Sequence, residues 1–153
     1  MSGQIPTMWP DVEAWFIGWV TAAKVVAADS ALTGVLVRNQ KPAAKKADGT
    51  ANPDGTPPYK HVVVAADPGQ LITPITRYVR VRVQGWVVTA QGSSDLKKAF
   101  NLTNVVAYIA QQAPRDGNPI VSVEVDSGPS RVKDETTGLE YSFATLLLEV
   151  RAL

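Results

Sequence analysis

Chemistry at a protein site needs reactive side chains brought together, and this chain of 153 residues offers few candidates. It contains no cysteine and a single histidine, His61. Thiolate nucleophiles, thiolate metal sites and disulfides are therefore excluded, and imidazole chemistry rests on one ring. Lys60 precedes His61 and Val62 to Val64 follow it, so the ring is expected at a strand start as ordinary edge or surface structure. Thr50, Asn52, Asp54 and Gly55 match the first part of a calcium loop, but His61 stands where the bidentate glutamate belongs. Asx and Pro-Gly turns are the expected reading there. Asp134, Glu135 and Glu140 could be imagined as an acid–base pair, yet the stretch ending at Gly138 reads as a polar hairpin bend. No G-x-S-x-G elbow, phosphate loop, dinucleotide glycine fingerprint or H-E-x-x-H helix occurs. A non-enzymatic protein without a cofactor or metal is expected.

Two charged features ask for partners. The segment Thr76 to Thr89 alternates Val79, Val81, Val83 and Val87 with Tyr78, Arg80, Arg82, Gln84 and Trp86, the pattern of a long strand with one buried face. Arg80 and Arg82 are like charges two positions apart on its other face, so something acidic should meet them. The candidates are Glu124 and Asp126 of a second alternating segment, a neighbouring subunit, or a phosphate backbone. The second feature is a lysine-bearing loop with Lys41, Lys45, Lys46 and Lys60. From Asn39 to Tyr59 the chain has no aliphatic residue larger than alanine, so it is expected as a long exposed loop unable to order itself independently. Its length suggests contact with a partner.

The elements that must position these groups follow from periodicity. Val12, Trp15, Phe16, Trp19, Val20 and Ala23 make one helical stripe between Pro10 and Ala28. Gly34 to Arg38 and His61 to Ala65 read as short strands, the second closed by Asp67-Pro68-Gly69. A second helix is capped within Ser93 to Asp95, carries Ala99, Leu102, Val106, Ile109 and Ala110 on its stripe, and is bounded by Pro114. Arg115 to Asn118 reads as a turn. Val121, Val123 and Val125 mark a half-exposed strand ending near Ser127-Gly128-Pro129. Leu139 to Val150 is a final strand whose uncharged stretch Ala144 to Leu148 suggests cover on both faces. Trp15, Trp19 and Trp86 lie on periodic elements and are expected as core or contact residues.

The expected fold is a single α+β domain over 1–153, with a mixed, mostly antiparallel sheet of about five strands and two helices on one face. The 15 basic and 14 acidic residues leave a net charge of +1, which announces neither a nucleic-acid nor a membrane partner for the whole chain. The N-terminus lacks the pattern of a secretion signal, and no apolar run reaches the length of a membrane span. A soluble protein made in a cytoplasm is expected.

Several of these pieces, taken in order, resemble the tail terminators of siphophages, particularly those of actinobacterial phages. The likeness covers nearly the whole chain: Trp9 to Glu13 opening a helix, Arg77 to Trp86, a helix after it, Val123 to Pro129, and Tyr141 to Arg151. The resemblance implies a lambda-type α/β subunit that forms a six-membered ring, caps the head-proximal end of the tail tube, stops its growth and offers a surface for head joining. It implies contacts with tail tube and head–tail connector proteins, a place in the virion, passage of genomic DNA through the lumen without sequence-specific binding, and no catalytic site. Arg80, Arg82 and Gln84 would serve one subunit contact and Glu124 and Asp126 another, with the lysine loop meeting a partner. That loop is longer and richer in lysine than the family pattern. Another neck subunit is the alternative in the same class, and a nucleic-acid-binding module the alternative in a different one.

Overall fold

The computed structural model describes residues 9–26, 32–113 and 119–152, and no side chain between 24 and 26. The expected end of the first helix at Ala28, the bounding Pro114 and the Arg115 to Asn118 turn lie outside the described residues. Helix α1 runs Val12–Val26 and helix α2 Leu96–Gln111. The strands are β1 Leu36–Arg38, β2 Tyr59–Ala66, β3 Gln70–Thr73, β4 Thr76–Val88, β5 Ile120–Lys133 and β6 Glu140–Arg151. They form one six-stranded sheet in the order β1-β2-β4-β6-β5, with β3 pairing β4. Only β1 and β2 are parallel; the other pairings are antiparallel. The α+β expectation holds, with one strand more than the sequence suggested. No described helix is long and apolar enough to cross a membrane.

Both helix starts are set locally. Asp11 accepts the Ala14 N–H at 3.0 Å, and Asp95 accepts the Lys98 N–H at 3.2 Å, each satisfying a donor that has no partner inside its helix. Helix α1 packs over β1 and β2, and α2 over β4, β5 and β6. Between helices and sheet lie Phe16, Val20, Leu102 and Val106, meeting Val62, Val64, Val81, Val83, Leu146 and Leu148. Gly85 lets α2 approach the sheet closely. A Cβ there would lie 2.5 Å from Thr103 Oγ1 and 2.9 Å from the Ala99 carbonyl oxygen.

Two strand boundaries differ from the sequence reading. The Asp67-Pro68-Gly69 break does not end pairing with β4. Ala66 faces Val81 and Gln70 faces Tyr78, so three residues on one side oppose two on the other, and β3 continues the line of β2. Pro68 has no N–H to give the ladder, which explains the break, but the hydrophobic run after it re-pairs. Similarly, β5 continues through Gly128-Pro129 to Lys133, because a register shift between Ser127 and Ser130 absorbs the proline. Gly128 has φ +83 and its backbone lies against Phe143, an arrangement that only glycine fits readily.

The seating of α2 on Gly85 makes a prediction. Gly85→Ala should lower stability by about 1–3 kcal/mol, the usual effect of overpacking a filled core. A urea midpoint equal to the wild-type value would show that α2 is not held at this distance.

Candidate functional site

With both helices on one face, the opposite face of the sheet is where the singled-out residues converge. Register places Tyr59, His61, Val63 and Ala65 of β2 on it, followed by Arg80 to Trp86 at even positions of β4 and Tyr141 to Glu149 at odd positions of β6. This face has two halves of different character.

One half is covered by the lysine loop. The loop is exposed, as expected, yet it is locally ordered through hydrogen bonds rather than apolar burial. Lys46 donates its N–H to Thr50 at 2.8 Å, and Asn52 donates its N–H to the Ala44 carbonyl at 2.9 Å. The Asn52 side chain donates to the Ala43 carbonyl and accepts the Asp54 N–H, opening a single 3-10 turn over Pro53–Gly55. The stretch that matched a calcium loop is thus an Asx turn, as its composition suggested. Gly55 presses on Ala43 so closely that a Cβ would meet the carbonyl oxygen at 2.2 Å.

Beneath the loop lies an aromatic cluster. Trp86 stacks on Tyr141 at 4.3 Å between ring centroids, and Tyr59 stacks on His61 at 4.5 Å. Lys41 Nζ lies 4.5 Å from the Trp86 ring centroid and 5.1 Å from that of Tyr59. Such a contact contributes about 0.5–2 kcal/mol, depending on how far it is desolvated. Trp86 and Val88 are therefore buried although they occupy the face of β4 turned away from the helices.

His61 departs from its expectation as a surface group: it is 2% exposed, on an interior strand. Neither ring nitrogen has a well-aligned hydrogen-bond partner. Burial pushes its pKa below the ordinary 6.5, and the Lys41 and Arg38 charges push the same way; the backbone and carboxylate of Asp54 oppose them. Arg38 and Asp54 themselves form an ion pair at 3.7 Å. These groups tie β1, the loop and β2 together.

The other half of the face is open and charged. Arg80 donates to Asp126 at 3.1 Å, crossing β6 to reach β5, and Arg82 meets Asp67 at 2.9 Å. The acidic company expected for both arginines is present within the chain, one partner being Asp126 as proposed and the other Asp67, which the sequence reading missed. Asp67 was placed by the break between β2 and β3, a feature visible only once β3 was paired. Gln84 accepts from the Trp86 indole N–H at 3.0 Å. Glu124 has no ion-pair partner among the described residues and lies across Leu147 from Arg80.

Two groupings drawn from the sequence are corrected by this geometry. Arg80 and Arg82 do not lie on a different surface from Glu124 and Asp126; strand alternation brings all four to the same face. The four lysines do not form one patch either. Lys41 is engaged with the aromatic rings and Lys45 and Lys46 sit on the exposed hairpin. Lys60 points to the opposite side of β2, beside Val87 and Lys98. The uncharged stretch of β6 is covered by helices on one face only; Thr145 is buried on the other by its neighbours across the sheet, without a second layer.

The remaining candidates have structural partners. Asp134 accepts the Thr137 hydroxyl at 2.6 Å, and Arg131 pairs with Glu140 at 2.6 Å; each contact holds its carboxyl below the ordinary range. Trp15 stacks on Trp19, whose indole donates to the Ile109 carbonyl at 2.9 Å. Among the described residues no group of acidic and histidine side chains is arranged to hold a metal ion. The sequence matches no protein-family model, and no curated protein is significantly similar to it.

The buried histidine gives a pH dependence. Its folded pKa lies below its unfolded value, so the unfolded chain binds the extra proton and stability falls as pH drops below about 6.5. Because His61 is the only histidine, the change between pH 7 and 5.5 should flatten in His61→Phe, which keeps the stack and removes the unpaired nitrogens. Thermal melts across that range measure it; equal slopes for the two proteins would refute the assignment.

Proposed function

We propose that this protein is a ring-forming structural subunit, a tail terminator that caps the head-proximal end of a bacteriophage tail tube, stops its polymerisation and supports head joining. The observation that supports this reading most is the one-sided helix layer. It leaves half of the opposite sheet face uncovered among the described residues, and the sheet edges are unlike; a subunit in a closed ring needs two different surfaces that meet on successive copies. An α+β domain is compatible with a subunit of the family that Trp9 to Glu13, Arg77 to Trp86 and Tyr141 to Arg151 resemble. In this reading, the tube and connector proteins are the partners, and the ordered loop bearing Lys45 and Lys46 is a contact surface for one of them.

The internal ion pairs weaken the nucleic-acid alternative, because Arg80 and Arg82 already have carboxylate partners. They also reshape what charge reversal should do. Both pairs are about half exposed, so each contributes at most about 1 kcal/mol to folding.

Electron microscopy of the purified protein is expected to show rings, and addition of those rings should halt polymerisation of purified tail tube protein. Rings that bind a connector but leave tube growth unchanged would favour another neck subunit. Dispersed monomers that never cap tubes would overturn the reading. The Arg80→Glu, Arg82→Glu double variant should keep its fold by circular dichroism while losing ring formation by light scattering; an unchanged oligomer would remove these residues from the interface.

A further inference from the structure

At one end of the sheet the register makes a four-strand row, Gln70 of β3, Tyr78 of β4, Glu149 of β6 and Ser122 of β5. Strands β3 and β5 are the two outer strands of this row, separated by three strand spacings, or about 14 Å. Both edges carry aliphatic side chains in water. On the β3–β4 hairpin Leu71 is 67% exposed, Ile75 64% and Ile72 41%; on β5 Val125 is 44% and Val121 41%. Five large aliphatic residues on two short segments are more than scattered surface hydrophobics, and they fall in two groups, one at each edge.

We propose that the β3–β4 hairpin of one copy packs Leu71, Ile72 and Ile75 against Val121 and Val125 on β5 of the next copy. This contact rests on the ring reading and specifies how its subunits meet. A second copy is the occupant that suits both patches, since a single rotation repeated from copy to copy covers the β3 edge and the β5 edge together, whereas a different partner would cover one. The net charge of +1 leaves little repulsion between copies. Contact is through side chains and not through an extended ladder. The β5 register shifts between Ile120 and Ser122 and between Val125 and Ser127, and β3 shifts between Leu71 and Thr73, so neither edge offers a regular row of backbone donors and acceptors.

The absence of native cysteine makes the contact directly testable. Leu71→Cys and Val125→Cys are made as separate proteins, with Ile75→Cys and Val121→Cys as a second pair, under conditions where sedimentation shows the wild-type oligomer. Mild oxidation of a mixture of the two partners in either pair should give a covalent dimer on a non-reducing gel, each single variant alone should give none, and a chain carrying both substitutions should give a ladder of multimers. Single variants that cross-link with themselves would mean a symmetric contact and overturn the proposal. An oligomer in which neither mixture cross-links would overturn this contact and leave the ring reading standing. A protein that sediments as a monomer at every concentration would overturn both.

Discussion

Side chains alternate along a strand, so the ten paired positions between β4 and β6 commit one face of both strands to the helices and the other to whatever lies outside. Val79, Val81 and Val83 share their face with Leu146 and Leu148, and a slip of one residue would exchange them for Arg80, Arg82 and Leu147. The helix layer is held by this register. Gly85 falls on the helix face of β4 and admits Ala99 and Thr103 of α2. The sheet's outer face inherits the remaining residues, and most of what distinguishes the molecule is how that face is handled.

It is handled in two ways. Where Tyr59, Trp86, Val88 and Tyr141 collect, a loop without large aliphatic residues covers them by bringing Lys41 over two rings and closing its own backbone through Asn52. Further along, no described segment covers the face, and Arg80 and Arg82 reach sideways to Asp126 and Asp67. Arg80 spans β6 to reach Asp126, whereas Arg82 turns toward Asp67 on the β2 side, and both charged heads stay half in water. His61 sits beneath the covered half, where burial, helped by the nearby Lys41 and Arg38 charges, favours its neutral form.

Unlike edges complete the picture. The sheet ends on the short parallel strand β1, on β3 in line with β2, and on the long, repeatedly shifted β5. Irregular register at β3 and β5 blunts backbone pairing between molecules, while their aliphatic side chains remain available for packing. Edges built this way discourage open-ended sheet extension.

The sequence alone determined the local elements, because the information for them is periodic and short-ranged. The stripe from Val12 to Ala23, the cap at Asp95 and the alternation from Val79 to Val87 each specify an element whatever surrounds it, and they were legible together with the α+β class. The bend at Asp134 to Gly138 and the Asx turn at Asn52 were legible for the same reason, since their side chains bond to backbone two or three residues away. What needed tertiary structure was every statement about which distant residues meet. That β3 re-pairs after Pro68, that Arg82 finds Asp67, that Arg80 and Asp126 share a face across β6, and that Lys41 and His61 lie on an aromatic cluster all depend on strand order and register. Strand alternation tells which residues share a face within one strand, but it does not tell which strands are neighbours, and contacts such as Arg80 to Asp126 are decided by that order.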